Sequence, residues 1–392
     1  MIGESFIDVD SFQRAKNGQV VAGDVFLSRK VREEGRIISV LSDGLGSGVK
    51  ASVLANLTAT MALQYTSAYV DVRRSARTIM DTLPICEVRK ISYSTFTIVD
   101  LDGDGRTRVI EHGNPPLLLL RGAELVPVES VEFTLEGWRD RIIRYSEFEL
   151  RLGDRIVSFS DGVSQSGLGR EDLPLGWGQE AVSRFVRESV ARDTEISAQG
   201  LARRLVTQAV ANDSGVPKDD ITCGVVYFRH PRRLLIITGP PFDRERDANL
   251  GELVRTFPGR KAVCGGTTAN ILSRILGRPV TMSLGQLDPE VPPGSAMEGI
   301  DLVTEGTITL AKAAELLEKG PQSEGTRRNP ASELVSLMLE SDIVQFVVGT
   351  RINEAHQDPN VPVELDIRRN VVRRIAGLLE SRYLKEAPVR FT

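Results

Sequence analysis

The sequence predicts a two-part chain: an α+β unit over residues 1–229 and a separate α/β unit over residues 230–392. Three observations carry this expectation. In the first part, short apolar strand patterns meet at tight turns and are interrupted by helices that come in pairs. His230-Pro231-Arg232-Arg233 then breaks the pattern as a linker. Beyond it, apolar strands and helices alternate, which is the arrangement of a parallel sheet with crossover helices.

Composition narrows the function classes. The chain has 392 residues, enough for two or three domains with sizeable cores. A formal net charge of -4 argues against a nucleic-acid binder, which needs a basic face. Cys86, Cys223 and Cys264 are an odd number at wide spacing. They suggest neither a disulfide framework nor a metal knuckle, so a reducing cytoplasm is expected. The first residues lack a basic and an apolar signal region, and no apolar run reaches the roughly 18 residues of a membrane span.

Taken in order, Phe6–Asp10 and Val20–Phe26 read as strands, with Asp24 inside the second. Ile37–Leu41 is a short β-branched run and reads as a buried strand. Directly after it comes S-D-G-L-G-S-G-V-K-A-S, Ser42 to Ser52. Asp43 falls at the strand end, where the backbone is fixed and the carboxylate can face solvent. Gly44, Gly46 and Gly48 permit positive φ and leave room for an anion or a metal. From Val49 to about Tyr65 the pattern is helical, with Val53, Leu54, Leu57, Met61 and Leu63 largely on one face. Lys50 is not placed as a P-loop lysine, so the Walker pattern fails.

A second helix, about Val72 to Leu83, ends near Pro84. Ser94–Val99 and Arg108–Glu111 then flank D-L-D-G-D-G-R. Asp100, Asp102, Asp104, Gly105 and Glu111 match the calcium-loop expression of an EF-hand, but that motif needs flanking helices. Here the flanks alternate as strands, so Asp-Gly marks a hairpin turn. His112 closes the second strand, in a structural role. Leu117–Leu120 is another buried strand, Ala123–Val128 a further one, and the stretch to about Tyr145 lacks a clear pattern. Arg155–Ser160 is an alternating strand that ends in Asp161-Gly162, repeating the Asp43-Gly44 arrangement. Helices follow at about 179–192 and 197–211. Asp219-Asp220 then precede the strand Ile221–Phe228.

Asp43, Asp161 and Asp219/Asp220 are thus three acidic strand ends. Neighbouring strands lie about 4.8 Å apart, so acids on one sheet edge can meet. Clustered carboxylates repel unless a cation joins them, and oxygen-only ligands suit Mg²⁺ or Mn²⁺. From the residues alone, a dinuclear metal site and acids that merely punctuate strands both remain open.

The ordered motifs G-D-V-F, S-D-G-L-G-S-G-V-K-A-S, S-T-F-T-I-V-D, H-G-N-P-P-L-L-L, G-D-R-I-V-S-F-S-D-G-V and D-D-I-T resemble the metal-dependent phosphatase 2C family. They are most similar to its bacterial branch of the sporulation stage II protein E type. The resemblance covers about residues 1–229 and implies two antiparallel sheets flanked by helices, an α-β-β-α sandwich. It implies two Mn²⁺ or Mg²⁺ ions: Asp43 bridging them, Gly44 adding its carbonyl, Asp161 and Asp219 completing the first site, and Asp24 supporting the second. Asp43, Asp161 and Asp219 would be the catalytic set. Glu111-His112-Gly113-Asn114 replaces the family's usual asparagine-alanine-glycine-histidine turn. The implied substrate is phosphoserine or phosphothreonine on a protein, in this branch often an anti-sigma-factor antagonist. The first two helices would act as a switch on the metal site. A non-catalytic binding module on the same fold is the alternative, and the intact acid set favours the enzyme.

In the second part, Leu234–Thr238, Arg260–Cys264 and strands at about 300–304 and 343–348 alternate with helices. The helices are expected at about 247–256, 265–276, 309–319, 330–340 and 366–383. Gly265-Gly266-Thr267-Thr268, at a strand-to-helix turn, is a candidate anion site through its backbone amides. Arg368, Arg369, Arg373 and Arg374 read as a solvated helix face. A sensor, a partner-docking module and a homodimerisation domain all remain open for this part.

Overall fold

The structure is a computed structural model. It describes all residues except 1–4, 32–33, 71, 83–93, 136–137, 244–246, 283–287, 321–328, 351–360 and 384. Cys86, Leu83 and Pro84 lie outside the described residues. The chain separates into two compact units, Met1–His230 and Pro231–Thr392.

The first unit contains β1 (Phe6–Arg14), β2 (Val25–Val31), β3 (Arg36–Gly44), α1 (Val49–Ser67), α2 (Val72–Thr82), β4 (Ser94–Leu101), β5 (Arg106–His112) and β6 (Leu118–Arg121). It continues with β7 (Glu124–Val126), β8 (Val131–Leu135), β9 (Trp138–Glu149), β10 (Asp154–Phe159), α3 (Asp161–Ser164), α4 (Gln179–Arg192), α5 (Ala198–Asn212) and β11 (Ile221–Arg229). Two antiparallel sheets result, in the orders β1-β11-β10-β6-β7 and β2-β3-β4-β5-β9-β8.

Three apolar layers hold this unit together. Ile7, Val99, Leu101, Val109, Leu119, Ile156, Val226 and Phe228 come from both sheets and form the core between them. Leu201, Leu205 and Val206 of α5, with Val182 and Val186 of α4, cover the outer face of the first sheet. Residues of α1 and α2 cover the second sheet at Ile38, Val40, Phe96 and Ile98. The layers therefore run helix, sheet, sheet, helix. Asp102–Gly105 is the β4–β5 turn, closed by Gly105 N–H donating to Asp102 O at 2.9 Å, and strands flank it on both sides. It is a hairpin and no EF-hand.

Several expectations need correction. Residues 20–24 are not strand: Val20 is 99% exposed, and β2 begins only at Val25, so Asp24 precedes it. The buried face of α1 is Ala51, Ala55, Thr58, Ala59, Ala62 and Leu63, whereas Val53 and Leu57 are 60% and 41% exposed. Small residues let the helix lie close on the sheet, which a face of larger side chains would prevent. Val131–Leu135 and Trp138–Glu149 form the strands β8 and β9, whose pattern is obscured by alternating charged residues. Finally, β10 is buried along its whole length and does not alternate.

The second unit contains β12 (Arg233–Thr238), α6 (Asp247–Thr256), β13 (Arg260–Cys264), α7 (Gly266–Leu276), β14 (Thr281–Met282), β15 (Ser295–Met297) and β16 (Ile300–Thr304). α8 (Thr307–Lys319), α9 (Pro330–Leu339), β17 (Ile343–Val348), α10 (Val361–Ser381) and β18 (Val389–Phe391) complete it. The sheet order is β14-β15-β16-β13-β12-β17-β18. Strands from β16 to β18 pair in parallel, while β14 and β15 add a short antiparallel edge that the sequence pattern did not reveal. Alternation along β12 serves both faces: Leu234 and Ile236 join α8, α9 and α10, and Leu235 and Ile237 join α6 and α7.

Candidate metal centre

Each expected acid of the first unit sits at an element end. Asp24 precedes β2, Asp43 is the penultimate residue of β3, Asp161 opens α3 directly after β10, and Asp219 lies just before β11. Antiparallel register does the gathering. Val25 pairs with Ser42, which carries Asp24 alongside Asp43. Phe159 pairs with Cys223, and Ser160 N–H donates to Thr222 O at 3.0 Å, which carries Asp161 alongside the Asp219-Asp220 pair.

The two neighbouring acids of that pair do different work. Asp220 is buried, and both its carboxylate oxygens accept backbone N–H bonds, from Lys16 at 2.9 Å and from Gly23 at 2.8 Å. It clamps the loop that presents Asp24. Asp219 is half-exposed, accepts the Asp220 N–H at 3.0 Å, and has Lys16 Nζ at 4.0 Å.

Close packing fixes these element ends. A Cβ on Gly44 would stand 2.3 Å from Ala51 O and 2.9 Å from Gly23 O, so this position is closed to any side chain. A Cβ on Gly162 would stand 2.1 Å from Asp220 O. Positive φ, expected across the turn, occurs at Gly46 (104°) and Gly48 (74°), whereas Gly44 is still part of β3.

Electrostatics shows that the acids sense one another. The Asp43 carboxyl is pushed well above the usual carboxylate range by burial first, and then by the charges of Asp24, Asp161 and Asp219. Asp24 is pushed up to about 7, chiefly by burial and further by Asp220, against the pull of the nearby Ser160 and Thr222 hydroxyls. Asp219 is raised by burial and by Asp161, opposed by the Asp220 amide and Lys16. Asp24 Oδ2 is buried with no hydrogen-bond partner. Asp161 Oδ2 accepts from Gln165 Nε2 at 2.9 Å.

This donor set fits a hard divalent cation. It is all oxygen, it carries excess negative charge, and it includes a buried oxygen with no donor. Among the described residues, no three His, Cys, Asp or Glu side chains stand close enough together to hold an ion by themselves. A Mg²⁺-like ion that keeps several waters needs only one or two direct carboxylates, so the arrangement suits a hydrated ion. Cys223, the one cysteine of this unit among the described residues, is fully buried in β11, and burial pushes its thiol far above the ordinary range.

Sequence reasoning missed the residues that hold β3 in place. Asn114 is buried and donates through Nδ2 to Thr97 Oγ1 at 3.1 Å and to Leu41 O at 3.5 Å, and its Oδ1 accepts from Thr95 Oγ1. Thr95 Oγ1 in turn lies 3.5 Å from Asp43 O. His112 Nδ1 lies 3.1 Å from Ile142 O and its ring packs on Phe96, both structural contacts. The only signals were H-G-N-P-P and S-T-F-T, which name a turn and a strand but not their meeting. Gly265, Gly266, Thr267 and Thr268 belong to the second unit, at the β13–α7 turn.

The sequence matches the family model described as stage II sporulation protein E (SpoIIE) over residues 33–229, half of the chain. A curated relative, stage II sporulation protein E of Bacillus subtilis (strain 168), is 24% identical over 218 residues. The match covers 55% of this chain and 25% of the relative, so the chain spans about a quarter of that relative's length. Among solved structures, the phosphatase domain of the cell fate determinant SpoIIE from Bacillus subtilis aligns at 19% identity and a TM-score of 0.44, covering 59% of this chain and 95% of that one. The RsbU and RsbW domains of a Mycobacterium tuberculosis protein align at 18% identity and a TM-score of 0.45, covering 64% and 67%. By the family model spanning β3 to β11, the chain belongs to the stage II sporulation protein E (SpoIIE) family.

Proposed function

We propose that residues 1–229 are a metal-dependent protein phosphatase that hydrolyses phosphoserine or phosphothreonine on a partner protein. One observation carries the reading: acids from four separate element ends converge, burial and then the neighbouring acids raise the Asp43, Asp24 and Asp219 carboxyls, and one buried Asp24 oxygen lacks a hydrogen-bond partner. Asp24, Asp43, the Gly44 carbonyl, Asp161 and Asp219 would hold two Mn²⁺ or Mg²⁺ ions, in part through waters the ions retain. When bound, such ions supply Lewis-acid activation of a water and neutralise phosphoryl oxygens.

The chain's own residues make that set rigid. Asp220 ties the Asp24 loop to β11, Gln165 restrains Asp161, and Asn114 with Thr95 fixes the end of β3. Lys16, beside Asp219, places a positive charge at the rim where a phosphate would arrive. The partner proposed is a small phosphorylated regulator such as an anti-sigma-factor antagonist, met in the cytoplasm. Among the described residues, no helix is long and apolar enough to cross a membrane.

The test is hydrolysis of p-nitrophenyl phosphate by the full chain with Mn²⁺, with EDTA, and with Asp43→Ala. Turnover that needs Mn²⁺ and disappears in the variant supports the phosphatase. Calorimetry showing Mn²⁺ binding without turnover of this probe or of a phosphopeptide would favour a non-catalytic module.

A further inference from the structure

The second unit gathers hydrogen-bond donors where the first gathers acids. Its parallel strands lie in the order β16-β13-β12-β17-β18, so in chain order the third, second and first strands are followed by the fourth and fifth. The chain thus reverses its direction of travel across the sheet between β12 and β17. In open parallel sheets the ligand crevice lies outside the carboxyl ends of the strands at such a switch point.

Two helices start on this edge without a capping side chain. The N-cap of α7 is Gly265 at φ 140°, and that of α8 is Gly306 at φ 141°. They begin side by side, since a Cβ on Gly306 would stand 3.3 Å from Gly265 Cα. At 11 and 13 residues, each helix contributes a positive end. The turns also match in a second respect. The third residue of each helix is a fully buried threonine, Thr268 in α7 and Thr309 in α8, and both hydroxyls lack a hydrogen-bond partner.

An unsatisfied buried hydroxyl is destabilising, so two at equivalent positions ask for a reason. The Thr268 hydroxyl is aimed at the bare face of Gly265. Its Oγ1 would be 3.4 Å from a Gly265 Cβ, with Gly239 N at 4.0 Å and Glu305 O at 3.8 Å from the same point. Gly239 follows β12, at the switch. A Cβ there would stand 2.7 Å from Arg368 Nη1. Two helix ends, a hydroxyl, a backbone amide and a guanidinium therefore run contiguously along one edge.

We propose that this edge binds a phosphate-bearing small molecule. Its phosphate sits between the N-termini of α7 and α8 against Thr268, and the remainder extends toward Gly239 and Arg368. A tetrahedral dianion uses donors arriving from several directions, which this set provides. The first strand-to-helix turn, Thr238-Gly239-Pro240-Pro241, carries no G-x-G-x-x-G, and its prolines have no N–H to offer a pyrophosphate. A single phosphate group fits better than a dinucleotide.

The experiment titrates the full chain with inorganic phosphate and with AMP by calorimetry, with EDTA present so that a metal in the first unit does not contribute. Thr268→Val keeps the shape and removes the hydroxyl. Gly266→Asp places a carboxylate at the first position of α7, where nothing lies within 4 Å of a new Cβ. Saturable binding is expected in the parent, at least about tenfold weaker in Thr268→Val and undetectable in Gly266→Asp, with both variants folded by circular dichroism. AMP binding tighter than phosphate identifies a nucleotide-like ligand, and equal binding identifies the phosphate group alone. Absence of saturable binding to either probe, or binding unchanged in the two folded variants, overturns the proposal.

Discussion

Strand β3 begins with a buried cation and ends in a cluster of acids, and the protein treats its two ends in opposite ways. Arg36, 1% exposed, donates to Asp100 through Nε at 2.6 Å and Nη2 at 2.8 Å, and to Thr66 O at 2.8 Å. Its guanidinium lies 4.0 Å from the Tyr69 ring centre, and Arg108 reaches Asp100 from the other side at 3.1 Å. At the far end Asp43 meets Asp24, Asp161 and Asp219. Asp24 and Asp100 are equally buried, each 4% exposed, so both were removed from water to the same degree. One was given two arginines; the other faces more acids and keeps an oxygen with no donor. A buried charge with its counter-ion in place serves the fold, whereas one set against like charge is what the proposed metal site would use.

That contrast breaks first at Asp100. Asp100→Asn leaves Arg36 buried beside a neutral amide and is expected to cost about 3–5 kcal/mol in urea unfolding. Asp43→Asn should do the reverse. It relieves repulsion, so stability without metal holds or rises, while Mn²⁺-dependent hydrolysis falls more than about a hundredfold, or about 2.7 kcal/mol in barrier. Equal loss of stability in the two variants would remove the distinction between the two ends of β3.

The contrast was half visible in the sequence. S-D-G after an apolar strand, twice, and D-D before another announce acids at strand ends, because strand pattern and polar terminus are both local. The regular alternation of the second unit was legible for the same reason, down to α6 and β13. What escaped depends on residues far apart. Arg36 and Asp100 are separated by 64 positions and carry no local mark of their pairing. The division of labour between Asp219 and Asp220 rests on which carboxylate meets the amides of Lys16 and Gly23, some 200 residues earlier. The buried face of α1 escaped because it is alanine, which a search for large apolar side chains passes over.

Metal removal also separates the two ends of β3. At about a hundred times its dissociation constant, Mn²⁺ should stabilise the parent by about 2.7 kcal/mol in chemical unfolding, reversibly with EDTA. Asp100→Asn should keep most of that increment and Asp43→Asn should lose it. An increment that survives Asp43→Asn would place the ion elsewhere.

The smallest effect comes from a buried carboxylate that stands between the two extremes. Glu111 Oε1 accepts the Leu117 N–H at 2.9 Å. Burial still raises its carboxyl above the ordinary value of 4.5, against that bond and the Arg144 charge. A raised folded-state pKa makes its contribution to stability complete below about 4.5 and lost as pH rises through the folded value. Glu111→Gln can keep the bond to Leu117 through its own carbonyl and carries no charge at any pH. The variant should therefore match the parent below about pH 4 and exceed it at neutral pH by on the order of 1 kcal/mol. Urea midpoints across pH 4 to 7.5 read this directly. A variant less stable at pH 7 than at pH 4, relative to the parent, would mean that Arg144 outweighs burial and that Glu111 belongs with Asp100.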